Sequence, residues 1–117
     1  MKRLGGPLLL AAACGLAAAT QAAEQPITLD TPSGQIAGTL ELPGEGGKYP
    51  VALIIAGSGP TDRDGNNPML PGRNDSLKQL ALALSEAGIA SVRYDKRGIA
   101  ASKPAGLDES ALRFEHY

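Results

Sequence analysis

Polar and apolar positions alternate in the first part of the chain and predict a pair of antiparallel strands. Residues 27–30 and 35–42 flank a cluster of turn-forming residues at 31–34. Alternate positions of the second segment share one face, which carries Ile36, Gly38, Leu40 and Leu42. A period of two is typical of a strand with one buried face. We therefore expect a β-hairpin with this face buried, followed by a loop over residues 43–48.

A parallel strand–helix–strand unit is predicted next. Residues 51–56 are apolar at every position, as in a strand that helices cover on both faces. Residues at helical spacing then form one apolar stripe, made of Leu77, Leu80, Ala81, Leu84 and Gly88. Ser76 and Gln79 fit a capping box at the start of this helix, and Gly88 fits its end. Residues 89–94 complete a βαβ crossover, and the predicted fold class is α/β.

The polar segments after the second parallel strand predict a loop and then one more helix. Residues 103–106 have the composition of a loop. Residues 108–117 begin with two acidic residues and predict a helix with an acidic first turn.

The first 22 residues have the pattern of a secretory signal peptide. Lys2 and Arg3 precede an almost wholly apolar stretch over residues 7–19, and residues 20–22 offer a small-residue cleavage site. The apolar stretch is too short for a membrane-spanning helix, which needs about 20 residues. Lipidation of Cys14 at a lipobox is the alternative, but Leu10 lies four positions before Cys14, whereas a lipobox has its Leu three positions before the Cys. We expect a secreted or periplasmic protein whose domain covers residues 23–117.

The charge and composition of residues 23–117 exclude several classes of function. Removal of Lys2 and Arg3 leaves nine basic residues against 12 acidic ones, a net charge of about −3 without a basic cluster. No nucleic-acid partner and, after cleavage, no membrane partner is therefore predicted. The single cysteine, Cys14, lies in the signal peptide, so the mature chain has no disulfide. One Phe, three Tyr and no Trp leave the core to aliphatic residues.

Gly57, Ser58 and Gly59 follow the all-apolar strand and are the candidate functional site. Ser58 does not fit a nucleophile elbow, because the positions two before and two after it are Ala56 and Pro60 instead of glycine. Glycines on both sides do allow the backbone to approach a substrate, and N–H groups at such a turn can stabilise an oxyanion. The simpler alternative, that both glycines only make the turn, stays open at this stage.

The other polar motifs favour structural roles. Residues 62–66 resemble a calcium loop, but counting from Asp62 puts Asn67 and Arg73 where an EF-hand needs Gly and Glu, so no metal is predicted. We expect Arg63 to neutralise part of its own acidic cluster. Asp95 and Arg97 are expected to brace the turn that Gly98 opens. A histidine that acts as a catalytic base needs a nucleophile beside it, and the sequence offers none for His116, the single histidine of the chain. We therefore expect His116 to be solvated.

Two of these segments resemble the α/β-hydrolase superfamily. Residues 56–59 occupy the position of the family's His-Gly-x-Gly loop after its third strand. Residues 95–102 are similar to its D-x-R-G-x-G-x-S segment after the fourth strand, with Ala100 in place of the second Gly. The string over residues 57–66 looks like a secreted bacterial branch of acyl esterases and serine-peptidase-like hydrolases. The resemblance covers residues 27–117, nearly the whole mature chain.

The resemblance implies a serine hydrolase acting on a small acyl substrate without a cofactor. The Ser58 N–H, with Gly57 and Gly59, would form the oxyanion hole, and the Ser, acid and His of the triad would lie beyond Tyr117. Residues 23–117 would then be the N-terminal fragment of the hydrolase domain, incomplete in its sheet and inactive alone. The alternative is a complete small secreted binding module that uses residues 57–67 as its contact surface.

Overall fold

The structure is a computed structural model that describes residues 22–116. The predicted signal peptide, apart from Ala22, lies outside the described residues. The described fold contains, in chain order, β1 (Ala23–Thr31), β2 (Gly34–Leu42), β3 (Val51–Ile54), α1 (Ser76–Glu86), β4 (Ala90–Tyr94) and the 3-10 helices Ala100–Ala105, Glu109–Ala111 and Phe114–His116. No helix between residues 22 and 116 has both the length and the apolar character needed to cross a membrane.

The strands form one mixed sheet in the order β1-β2-β4-β3. β2 pairs antiparallel with β1 and with β4, whereas β3 and β4 are parallel. The predicted hairpin, the parallel pair connected through α1 and the α/β class are therefore confirmed. Because β3 and β4 run in the same direction, the loops that follow them leave the sheet at the same end.

Helix α1 ends as the sequence predicts. Gly88 has a φ of +79°, a left-handed conformation that glycine adopts without steric cost. The N–H of Ile89 donates to the Leu84 carbonyl at 2.9 Å, and the N–H of Gly88 donates to the Ser85 carbonyl at 3.0 Å. This pair of hydrogen bonds is a Schellman motif, which satisfies carbonyls at the end of the helix.

The predicted capping box at the start of α1 is wrong. Ser76 is the first helical residue, and the cap position is Asp75, whose side chain makes no capping hydrogen bond. The Gln79 side chain donates instead to the Asn74 carbonyl at 2.7 Å. Asn66, from the preceding loop, accepts from the N–H groups of Asn74 and Asp75 at 3.1 Å each. A tertiary contact thus holds the helix start in place of a local cap.

The face of the hairpin that we expected to be buried is only partly so: Gly38 is buried, whereas Ile36, Leu40 and Leu42 are half-buried. Helix α1 packs on the opposite face, where Thr39 and Glu41 of β2 and Ser91 and Arg93 of β4 are buried. The apolar face has no such cover among the described residues, and its exposed side chains include Leu29, Val51 and Leu53 at 61–64% exposure. Alternation identified the two faces correctly but not which one the helix covers.

A buried ion cluster explains why the polar face is the covered one. The fully buried guanidinium of Arg93 donates to Glu24 at 2.6 Å, to Asp64 at 2.9 Å and to Glu41 at 3.4 Å. Lys78 on α1 reaches Glu24 at 3.5 Å. Burial opposes the charge on Arg93, but its hydrogen bonds and the nearby carboxylates outweigh burial and raise its pKa above the usual range.

The predicted helix over residues 108–117 is also wrong. The structure contains two separate 3-10 turns there, Glu109–Ala111 and Phe114–His116, with an extended backbone at Leu112 between them. Short isolated helices are unstable in water unless an apolar face packs on something. Phe114 is 93% exposed, so the apolar residues of this segment gain little from a continuous helix.

Substitution of Arg93 tests the importance of the buried cluster. Arg93→Met leaves the buried Glu41 carboxylate and Asp64 without their cation, so we expect the free energy of unfolding to fall by about 3–5 kcal/mol, or the variant to be unfolded. The matched control is Glu24→Gln, because Glu24 is partly solvated and its removal costs below about 1 kcal/mol. Urea unfolding followed by circular dichroism measures both. Equal losses in the two variants would contradict the account.

Candidate functional site

The loops that follow β3 and β4 meet at one end of the sheet. The glycine loop, defined as Gly57, Ser58 and Gly59, follows β3, and Lys96 lies just after β4. The Lys96 ammonium donates to the Gly57 carbonyl and, at 2.9 Å, to the Gly59 carbonyl. Partial burial lowers the pKa of Lys96. Lys96 was not among the residues predicted from the sequence, although its place at the carboxyl end of a parallel strand was a usable signal.

The carbonyls of the glycine loop all accept hydrogen bonds, whereas its N–H groups donate none among the described residues. Lys96 binds two of its carbonyls, and the Thr61 hydroxyl donates to the third, that of Ser58, at 3.1 Å. Among the described residues, none accepts a hydrogen bond from the N–H of Gly57, Ser58 or Gly59. All three residues are exposed. The loop therefore has backbone donors available for a ligand.

The two glycines of the loop differ in what requires them. Gly59 has a φ of +73°, so the turn itself favours glycine there. Gly57 lies outside the left-handed region, and a Cβ built on it would meet no atom within 4 Å. Neither the turn nor crowding within the described residues explains Gly57. The turn alternative accounts for Gly59 but not for Gly57, where the open space leaves the backbone accessible to a ligand.

A groove of about 750 Å³ lies beside the glycine loop. Its lining includes Ser58, Lys96, Arg97, Glu109 and His116. His116, which we expected to be solvated, is half-buried here, and its Nδ1 accepts from the Arg113 N–H at 2.9 Å. Within residues 22–116, Ser58 has no hydrogen bond to His116 or to another base. A serine nucleophile needs such a base, so the geometry gives Ser58 no activated hydroxyl.

Asp95 fixes the position of the loop after β3 and also braces its own turn after β4. Its Oδ1 accepts from the Arg63 N–H at 2.8 Å and its Oδ2 from the Ala101 N–H at 3.1 Å. The expected pairing of Asp95 with Arg97 is wrong, because the Arg97 guanidinium donates to Thr31 and to other groups outside its turn. Ala100 has a φ of +43°, a conformation that favours glycine.

The acidic loop over residues 62–66 is held by its own hydrogen bonds. Asp62 Oδ1 accepts from the N–H groups of Asp64 and Asn66 at 2.9 Å each. The expectation that Arg63 neutralises this cluster is wrong, since Arg63 lies 3.8 Å from Asp95 and Arg93 pairs with Asp64. In the part of the chain that the structure describes, no three His, Cys, Asp or Glu side chains are placed to bind a metal ion.

Asp75, which precedes α1, ties the acidic loop to the helix. Its carboxylate accepts from the Asn66 side chain at 2.6 Å and from Arg73 at 3.2 Å. The hydrogen bond from Asn66, with a smaller contribution from Arg73, holds the pKa of Asp75 below its usual value despite desolvation.

Comparisons with known proteins do not identify this site. No family model matches the chain, and no curated protein sequence matches it. The glycine loop, its free donors and the groove beside it therefore provide the basis for a functional interpretation.

Alanine substitutions distinguish the two glycines. Gly59→Ala forces a side chain into the left-handed region, so we expect the free energy of unfolding to fall by about 1–2 kcal/mol. Gly57→Ala meets neither strain nor crowding, and we expect a change within about 0.5 kcal/mol. Thermal or urea unfolding of the two variants measures the difference. If Gly57→Ala were as destabilising as Gly59→Ala, Gly57 would be a turn residue and the argument for close approach would fail.

Proposed function

We propose that the chain is the N-terminal part of an exported serine hydrolase of the α/β-hydrolase type, which cleaves ester or related acyl bonds. The glycine loop contributes the oxyanion hole, with the Ser58 N–H as donor and Gly57 and Gly59 giving access to the backbone. The nucleophile, acid and His of the triad come from other parts of the protein. The observation that carries this proposal is a loop whose carbonyls are all bound and whose N–H groups are all free among the described residues.

The chemistry of acyl transfer supports this assignment. Attack on an acyl carbon converts its carbonyl oxygen into an oxyanion, which needs fixed donors in a site shielded from water. Removal of one such donor typically lowers kcat about 10²–10³-fold. Backbone N–H groups suit this task because the peptide fixes them in place and no proton has to be transferred. Ser58 has no base beside its hydroxyl, which favours its N–H over its side chain as the functional group.

The sheet has the features of part of a larger one, which further supports the proposal. β3 is apolar on both faces, yet α1 covers the sheet on one face only, and Leu53 and Ile55 on the other face are 61% exposed. Within the described residues β3 pairs with β4 alone, so its second edge is free. An apolar strand with an open edge is an aggregation hazard that natural domains avoid. An additional strand from the same protein would pair with the free edge of β3, and an additional helix would cover the exposed apolar face.

The left-handed backbone at Ala100 agrees with the resemblance noted above. The hydrolase pattern has Gly at this position, and a φ of +43° is the conformation for which glycine is the usual residue. The backbone therefore keeps the shape of the pattern although the residue differs. The acyl substrate itself, whether ester, thioester or peptide, depends on residues outside this chain.

A pair of substitutions at Ser58 tests the proposed role in the polypeptide that the complete gene encodes. Ser58→Ala keeps the N–H, so we expect the rate of labelling by a fluorophosphonate probe to stay within about twofold of the wild type. Ser58→Pro removes the N–H, and we expect that rate to fall about 10²–10³-fold. Mass spectrometry identifies the labelled serine, and circular dichroism confirms that each variant folds.

Two results would contradict the proposal. Loss of labelling in Ser58→Ala, or a phosphonyl group on Ser58 itself, would make its hydroxyl the nucleophile. A complete gene product that takes up no probe and lacks a G-x-S-x-G serine after a further strand would favour the small secreted binding module instead.

A further inference from the structure

Lys96 makes the contacts that set the direction of the Ser58 N–H. Its ammonium bridges the carbonyls of Gly57 and Gly59, which come from a loop almost 40 residues earlier in the sequence. In a planar trans peptide the C=O and N–H bonds point in opposite directions. With the Gly57 carbonyl turned toward Lys96, the Ser58 N–H of the same peptide points away from the ammonium.

The second carbonyl that Lys96 binds adds rigidity without adding a donor. The Gly59 carbonyl belongs to the peptide that joins Gly59 to Pro60, and proline has no N–H. Lys96 therefore holds two peptide groups, and only the one between Gly57 and Ser58 has an N–H. That N–H lies on the side of the peptide opposite to the carbonyl that Lys96 binds. The two contacts therefore orient a single donor, the one assigned to the oxyanion.

Packing does not hold the glycine loop in this orientation. A Cβ built on Gly57 or on Gly59 would meet no described atom within 4 Å, so no neighbouring side chain restrains these residues. Apart from Lys96, the hydrogen bond that the Thr61 hydroxyl donates to the Ser58 carbonyl is the remaining tether among the described residues. Glycine also allows the peptide to rotate freely. Without Lys96, the Gly57–Ser58 peptide would be free to turn over.

We propose that Lys96 is a positioning residue, whose ammonium holds the glycine loop so that the Ser58 N–H stays directed at a ligand. This inference rests on the proposed function for the identity of the ligand, but the orientation of the loop can be measured independently. An oxyanion donor is effective when it is fixed before the reaction begins, and Lys96 supplies that fixation.

Backbone ¹⁵N relaxation of the full chain tests the orientation directly. Lys96→Met removes all donors and keeps the aliphatic stem, so we expect the order parameters of Ser58 and Gly59 to fall from about 0.85 to below about 0.6. Lys96→Arg retains a cation with several donors and is expected to preserve most of the order. The matched control is Lys103→Met, which removes an exposed lysine of the 3-10 helix Ala100–Ala105, where the sequence had predicted a loop, and should change nothing.

The same variants, placed in the complete gene product, test the consequence for chemistry. We expect Lys96→Met to lower the rate of fluorophosphonate labelling about tenfold, less than removal of a donor outright, and Lys96→Arg to restore most of it. Circular dichroism checks the fold of each variant. If Lys96→Met does not fold, Lys96→Gln, whose polar end is one bond shorter and cannot bridge both carbonyls, takes its place.

The outcomes separate the two proposals. Unchanged order parameters in a folded Lys96→Met variant would overturn the positioning role, whatever the labelling shows. Reduced order in Lys96→Met, together with a wild-type gene product that takes up no probe, would support the positioning role and contradict the hydrolase assignment. Reduced order and slower labelling, both restored by Lys96→Arg, is the expected result.

Discussion

The buried guanidinium of Arg93 is the interaction on which the rest of the structure depends. It binds carboxylates from β1, from β2 and from the loop before α1, and Lys78 extends the cluster to the helix. Buried charges are tolerated only when paired, so these segments must come together around Arg93. This requirement places α1 on the polar face of the sheet. Among the described residues the apolar face keeps side chains as exposed as Leu29 and Leu53.

The same constraint fixes the candidate site. Asp64 binds Arg93, and the preceding residue, Arg63, donates its N–H to Asp95 after β4. Two successive residues of the segment after the glycine loop are thus anchored, one to β4 and one to the residue that follows it. Because Lys96 is the next residue after Asp95, its ammonium is held within reach of the glycine loop. The buried ion cluster and the proposed backbone donor are connected through these few residues.

The sequence predicted the features that depend on local pattern and missed those that depend on tertiary contacts. Alternation, the all-apolar segment and Gly88 were sufficient for the hairpin, β3 and the end of α1. The face that α1 covers was not predicted, because burial of Glu41 and Arg93 requires partners that periodicity does not reveal. The start of α1 depends on Asn66, eight residues before Asn74. Gly57 and Gly59 were recognised as candidates, but Lys96 became visible only when the two loops were brought together.

The most direct test of the oxyanion-hole assignment is a crystal structure of the complete gene product after reaction with the fluorophosphonate probe. The bound phosphonyl oxygen mimics the oxyanion of acyl transfer. The account predicts that this oxygen lies about 2.7–3.1 Å from the backbone nitrogen of Ser58, with phosphorus bonded to a serine elsewhere in the protein. A phosphonyl oxygen directed away from the glycine loop, or phosphorus bonded to the Ser58 hydroxyl, would contradict it.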